Sequence, residues 1–331
     1  MKKQKLPALF AGFGLFLLII DTKTALLGAN KGFEICCQTL IPSLFPFIFL
    51  SSMLTSAIAS QPTKWLRPLG RLLQIPAGSE SIFLIGVLGG YPTGAQAVAQ
   101  AVKKGCISRE NGNRMLAFCS NAGPAFLFGM GSSLFTSNGM CWLLWAIHII
   151  SAILVARLIT AKQDQFSQPH ADASISAAFA LRQSLITMAM VCGWVILFRI
   201  LLAYLEFWIF WWLPKEGTYI VSGLLEIANG CCRLAQIDNI TLRAVMFSGF
   251  LGFGGLCVMM QTYSVCNDLD CRWYLLGKLL QSIFSILLCS LIISRGMKLL
   301  FLVSILALYT ALYFFMAHTA KRDSIPAKCS V

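Results

Sequence analysis

Apolar residues in this chain gather in runs long enough to cross a bilayer, and polar residues mark the gaps between them. The first run covers residues 6–28, and the second covers 32–60 with Pro42 and Pro46 inside it. Two prolines four apart remove hydrogen bonds that a regular helix needs. A basic stretch with Lys64, Arg67 and Arg71 follows, suited to an interfacial or half-membrane helix. The third run, 81–102, holds Gly89-Gly90-Tyr91-Pro92-Thr93-Gly94, through which no smooth helix is expected. After the basic loop with Lys103, Lys104, Arg109 and Arg114, the fourth run, 115–135, carries a second break at Asn121-Ala122-Gly123-Pro124. Residues 140–160 form a fifth run. Beyond a polar linker come 177–207, a marginal run at 219–235, a strongly apolar run at 241–265, then 273–293 and 299–317.

This pattern predicts an all-α integral membrane protein with about eight spanning helices, several of them broken or folded back as re-entrant hairpins. Four regions are expected: a first membrane half at 1–160, a polar linker at 161–175, a second membrane half at 176–295, and a C-terminal helix and tail at 296–331. Lys2, Lys3 and Lys5 before the first run resemble the start of a signal peptide, but without a clean cleavage site the run is expected to stay as a helix. The basic segments 64–71 and 103–114 lie on one side of the membrane only if 78–102 turns back as a hairpin. Lys321 and Arg322 leave the side of the C-terminus open. The two halves echo each other: Gly86-Val87-Leu88-Gly89-Gly90 precedes Gly249-Phe250-Leu251-Gly252-Phe253 by 163 positions (249 − 86), and Gln74-Ile75 and Gln236-Ile237 stand at similar distances before them. Repeated halves with broken helices mark secondary transporters.

Composition agrees. Of 331 residues 57% are hydrophobic and 12% charged, against about 25% charged in soluble domains. The net charge of +13 sits at the ends of apolar runs, which suits an anionic membrane surface; no basic stripe interleaved with aromatics points to nucleic acid. Trp208, Trp211 and Trp212 read as an interfacial belt. Thirteen cysteines include no CxxC, and the chain has three histidines, so the cysteines read as small packing residues and neither metal nor cofactor is expected. No GxSxG, HExxH, Walker-type or GxGxxG motif occurs, and the chain is not expected to be an enzyme or a primary pump.

A broken helix inside a membrane needs partners for its freed backbone groups, which are found in protein or in a water-filled cavity. Gly90, Tyr91, Pro92, Thr93 and Gly94 at the first break, Asn121, Gly123 and Pro124 at the second, and Gly254 and Gly255 at the third are therefore candidate solute-lining positions. The alternative for the glycines is close helix packing. Glu80 and Glu226 are carboxylates within or at the edge of apolar runs, and an intramembrane acid asks for a proton, a cation or a polar solute. Either could instead lie at an interface, Glu80 as an acid in a first helical turn. Gln96, Gln100, Asn229 and Gln261 could donate and accept together toward a solute, or bind helix to helix. Arg199 reads as a snorkelling anchor, and His148 as a hydrogen-bonded packing residue.

The motifs Gly89-Gly90-Tyr91-Pro92-Thr93-Gly94-Ala95 and Cys119-Ser120-Asn121-Ala122-Gly123-Pro124-Ala125-Phe126 resemble the sporulation integral membrane protein family of YlbJ type. That family stands with the nucleoside-recognition or Gate-domain membrane proteins. The likeness covers about 35–295, with Leu225-Glu226-Ile227 and Gly252-Phe253-Gly254-Gly255-Leu256-Cys257 as second-half counterparts. Gly78-Ser79-Glu80-Ser81 is similar to the glycine, hydroxyl, glutamate pattern in the first hairpin of nucleoside transporters. The resemblance implies a multi-pass protein of the bacterial cytoplasmic membrane, a Gate fold, and a role in spore formation. It names no solute: a second hairpin with Asn and Ser ligands is not found in the sequence. Two expectations follow, a transporter-like protein for a small polar solute or cation, or a non-transporting scaffold or channel component that docks spore-assembly proteins.

Overall fold

The computed structural model describes residues 2–59, 64–159, 176–266, 268–293 and 302–313. The linker expected at 161–175, the last residues of the chain and Lys321 and Arg322 lie outside the described residues. Those described are helical, with no strand among them. Five helices are long and apolar enough to cross a membrane: Thr22–Met53, Asn138–Leu158, Ala177–Trp208, Ile240–Val265 and Arg272–Ile293. Ala11–Ile20, Glu80–Gly89 and Leu302–Tyr313 are apolar but shorter. Eight spans were expected because three apolar runs, at 81–102, 115–135 and 219–235, have the length of a crossing; each is split into two short helices that do not reach it.

Helix α1 (Lys2–Ile20) leads into α2 (Thr22–Ile35), capped by Asp21, whose carboxylate accepts from the Thr24 N–H. A π-helical turn at Cys36–Leu40 joins α2 to α3 (Ile41–Ala59). The turn falls where Pro42 and Pro46 withhold N–H groups, and the Ile41 N–H donates back to the Cys36 carbonyl instead. The 22–53 segment thus stays one continuous crossing despite its prolines. Helix α4 (Arg67–Leu73) is followed by α5 (Glu80–Gly89), α6 (Thr93–Lys103), α7 (Arg109–Cys119), α8 (Pro124–Leu134) and α9 (Asn138–Leu158).

The second half opens with α10 (Ala177–Trp208), 32 residues started by Ser176, whose hydroxyl accepts from the Phe179 N–H. It lies close along α2 because Gly28 and Gly32 have no side chain there; a Cβ at either would meet the α10 backbone within about 3 Å. The Tyr204 hydroxyl donates to the Leu17 and Asp21 carbonyls and ties α10 to the α1–α2 junction. Then come α11 (Lys215–Leu225), α12 (Ile227–Leu234), α13 (Ile240–Phe253), α14 (Gly255–Val265), α15 (Arg272–Ile293) and α16 (Leu302–Tyr313).

Two of the divided segments fold back on themselves. Gly86 of α5 packs on Gly94 of α6, and Gly223 of α11 on Gly230 of α12, so each pair is a helical hairpin. The α7–α8 and α13–α14 pairs run on past their breaks without packing together. The order hairpin, broken helix, long helix therefore occurs twice: α5–α6, α7–α8, α9, then α11–α12, α13–α14, α15. The matched glycine strings fall on unlike elements, Gly86 on a hairpin arm and Gly249 on a broken helix. The second hairpin escaped sequence reading because α12 has only 8 residues and its turn is the single residue Glu226.

Apolar packing follows two centres. One joins α8, α9 and α13 through Leu127, Leu144, Phe247 and Leu251; the other joins α7 and α15 through Leu116, Phe118, Tyr274 and Phe284. Outward faces carry large exposed apolar side chains, among them Ile19, Trp142, Leu197 and Leu279, as expected where lipid is the solvent. Trp208, Trp211 and Trp212 are exposed at the end of α10. The cysteines among the described residues are all unpaired, and most are buried.

Candidate functional site

Four interruptions meet inside this bundle. At the tip of the first hairpin, Gly90 has φ 76°, Tyr91–Pro92 is cis, and the Thr93 hydroxyl donates to the Gly90 carbonyl at 2.7 Å. Between α7 and α8 the chain is extended through Ser120 and Gly123, and Pro124 starts α8 where a missing N–H costs nothing. At the tip of the second hairpin Glu226 alone leaves the helical region, with φ −146° and ψ 118°. Between α13 and α14, Gly254 and Gly255 have φ 83° and 85°, which a side chain would strain. A Cβ on Gly254 would press on the Tyr91 ring at 3.2 Å, and one on Gly255 would lie 3.2 Å from the Gly223 carbonyl oxygen.

Beside these tips is a cavity of ≈ 40 Å³ lined by Gly90, Tyr91, Gly123, Glu226 and Gln261, with Val191 and Val195 of α10 as its apolar wall; Gly254 and Gly255 are not part of its lining. It has room for about one water molecule. Five of the thirteen residues expected at a solute site thus share one small chamber, and they come from four different elements.

Glu226 is buried, 1% exposed. Its carboxylate accepts from the Ala228 N–H at 3.0 Å, the Asn229 N–H at 2.7 Å and the Asn229 amide at 2.6 Å. It caps α12 from inside the protein, which places negative charge at the positive end of that helix.

Beside this chamber lies a polar network that sequence reasoning did not find. Lys278 of α15 is fully buried, and its ammonium donates to the Ser120 carbonyl and to Gln281 Oε1. The ring centres of Tyr91 and Tyr274 stand 5.5 and 5.9 Å from Nζ, near enough for cation–π attraction. The Gln281 amide donates to Asn121 Oδ1 at 3.0 Å, and the Asn121 amide donates to the Phe118 carbonyl at 2.8 Å. The Ala122 N–H donates to His148 Nε2 at 3.1 Å, which requires that nitrogen to be unprotonated. Two backbone groups of the α7–α8 break, the Ser120 carbonyl and the Ala122 N–H, are thereby met by side chains of α15 and α9. The signal for Lys278 was present: a single cation inside the apolar run 273–293.

His148→Phe should leave the Ala122 N–H buried without an acceptor. We expect a loss of about 1–3 kcal/mol, read as a lower thermal midpoint in detergent, with His148→Gln keeping more of the stability than His148→Phe.

Other expected site residues lie elsewhere. Glu80 is buried against α4, where Gly70 leaves room for its side chain, and Oε2 accepts from the Gly78 N–H at 2.8 Å; it takes no part in the chamber. Gly94 packs against the Cys119 carbonyl and Gly86, a close-packing role. Pro92 and Pro124 precede or begin helices, and Asn121 braces the break as described. Thr93 lines a separate cavity of ≈ 370 Å³ with Gln96, Gln100, Lys104, Gln183 and Ser184. Arg199 is no outward anchor: α10 turns it inward against Gly32 of α2, and its guanidinium donates to Glu206 at 3.0 Å, a carboxylate that Arg233 also pairs with. Its side chain is 5% exposed.

Long apolar helices with lipid-facing surfaces, enclosing broken segments around buried charge, define a multi-pass integral protein of the cell membrane. Within that class, the chain is similar to the sporulation integral membrane protein YlbJ of Bacillus subtilis (strain 168): the two are 25% identical over 327 residues, covering 84% of this chain and 80% of the relative. The likeness to the YlbJ type read from the two glycine-rich motifs is thereby upheld. No protein-family model matches the chain, and no solved structure matches it.

Proposed function

We propose that this protein is a secondary-transporter-like membrane protein that handles a small polar solute and serves in sporulation, as the name of its Bacillus relative states for that protein. The observation that carries this reading is the meeting of both hairpin tips and both helix breaks around Glu226 and Tyr91. Irregular backbone at such depth is tolerated where it serves a polar site. The twice-used order of hairpin, broken helix and long helix supports two related halves and a Gate-like fold, with α5–α6 and α11–α12 as re-entrant hairpins. The ≈ 40 Å³ chamber is too small for a solute, so it stands for a closed state. The ≈ 370 Å³ cavity reaches the first hairpin tip at Thr93 and has the size of a small-molecule site. Its Gln96, Gln100, Gln183 and Ser184 side chains offer donors and acceptors, and Lys104 brings a positive charge.

The test is uptake into proteoliposomes of a labelled panel of nucleosides, amino acids and inorganic phosphate. At least one solute should enter faster than into empty vesicles. Glu226→Gln should cut its initial rate at least tenfold, and Glu80→Gln should leave it within twofold, because Glu80 lies away from the tips. If no solute enters, and a thiol introduced by Thr93→Cys stays closed to a membrane-impermeant methanethiosulfonate, the solute reading fails. A stoichiometric co-purifying protein would then favour the scaffold alternative.

A further inference from the structure

Lys278 is a buried cation with no carboxylate partner; the ion pairs among the described residues join other side chains. Its acceptors are a side-chain amide oxygen and the Ser120 carbonyl, which follows directly on the C-terminal end of α7. A helix C-terminus carries partial negative charge on carbonyls that lack intrahelical partners. Inside a low-dielectric bundle such a terminus calls for a cation, and bared carbonyls at broken helices are where transporters hold inorganic ones. Here the positive charge arrives on a side chain. Gly277, the neighbouring residue, brings α15 against the Ala117 backbone of α7 with no room for a Cβ, so the lysine enters the break at short range. The faces of Tyr91 and Tyr274 stand near the ammonium, and the buried hydroxyls of Ser120 and Thr262 lie beside that of Tyr274. Neutral groups thus surround a single positive charge, and a second cation at the same carbonyls would be repelled by the first.

We propose that the Lys278 ammonium is the resident cation of the α7–α8 break, holding the place that a monovalent inorganic cation would otherwise take, so that the protein needs neither Na⁺ nor K⁺ there. The inference concerns the same break as the proposed solute site, but its test reads stability and not flux, so each can fail without the other.

The thermal midpoint of the full chain in detergent is compared in choline, Na⁺, K⁺ and ethylammonium chlorides at equal ionic strength. The wild type should unfold at the same temperature in all four. Lys278→Ala should unfold earlier in choline and be restored in part by ethylammonium, a primary ammonium small enough for the vacated space. Lys278→Met, which fills that space without charge, should be destabilised and not restored. A wild-type midpoint that rises in Na⁺ or K⁺ over choline would overturn the proposal. So would a Met variant as stable as the wild type, or a folded Ala variant indifferent to ethylammonium. Should Lys278→Ala fail to fold, the wild-type salt comparison and Lys278→Met decide the matter.

Discussion

Gly86→Val should yield no monodisperse protein on size exclusion, while the wild type elutes as a single species. A Cβ at Gly86 would lie 2.8 Å from the Cys119 carbonyl carbon and closer still to its oxygen, and 3.3 Å from Gly94 Cα. Gly94 meets the same carbonyl from α6, with a Cβ there falling 2.7 Å from Gly86 Cα. Three backbones therefore cross at one point: both arms of the first hairpin and the end of α7. Backbone atoms cannot rotate away as a side chain can, so the hairpin must part from α7. Overpacking of an ordinary core costs about 1–3 kcal/mol, and a clash with a carbonyl beside a buried ammonium should exceed that range. Gly86→Ala is expected to lower the thermal midpoint by less than Gly86→Val while remaining measurable. A Gly86→Val protein that elutes and melts like the wild type would refute the packing described.

Glu226→Ala should have the second-largest effect, on stability as well as on flux. The carboxylate caps α12 and receives three hydrogen bonds. Losing an N-cap costs about 0.5–2 kcal/mol, and each buried donor left unpaired adds about 1–3 kcal/mol. Removal also leaves Arg199 and Arg233 sharing Glu206 as the neighbouring acid. We expect a fall of several kcal/mol, read as a large drop in the unfolding midpoint. Glu226→Gln keeps an amide oxygen for the Ala228 or Asn229 N–H and should retain most of the stability, which is why it serves in the uptake assay. Equal midpoints for Glu226→Ala and wild type would show that α12 does not depend on this cap.

The membrane character and the positions of three breaks were legible in order along the chain, because glycine, proline and long apolar runs act locally. Breaks fall at Gly90, Pro92, Pro124, Gly254 and Gly255, where glycine and proline stand clustered, while Pro42 and Pro46 do not end the 22–53 crossing. The break at Glu226 was not seen, since no glycine or proline marks it; the carboxylate itself turns the chain by capping the helix that follows. Lys278, a single cation inside the apolar run 273–293, was not singled out in the sequence. Its depth became evident only when Gly277 brought α15 onto α7. Glu80 showed the opposite case: as striking in the sequence as Glu226, it is buried by the fold against α4, apart from the tips.

The amino-acid sequence alone determined that this chain lives in a bilayer and where three of its helices break, because transfer of apolar groups and backbone sterics depend on near neighbours in the chain. The tertiary structure decided which stops meet, that Tyr91, Glu226 and Gln261 share a chamber, and that the α7–α8 break is answered by Lys278. Tyr91 lies more than a hundred positions from Glu226 and Gln261, and Ser120 as far from Lys278, and burial and charge compensation at that range exist only once the helices have packed.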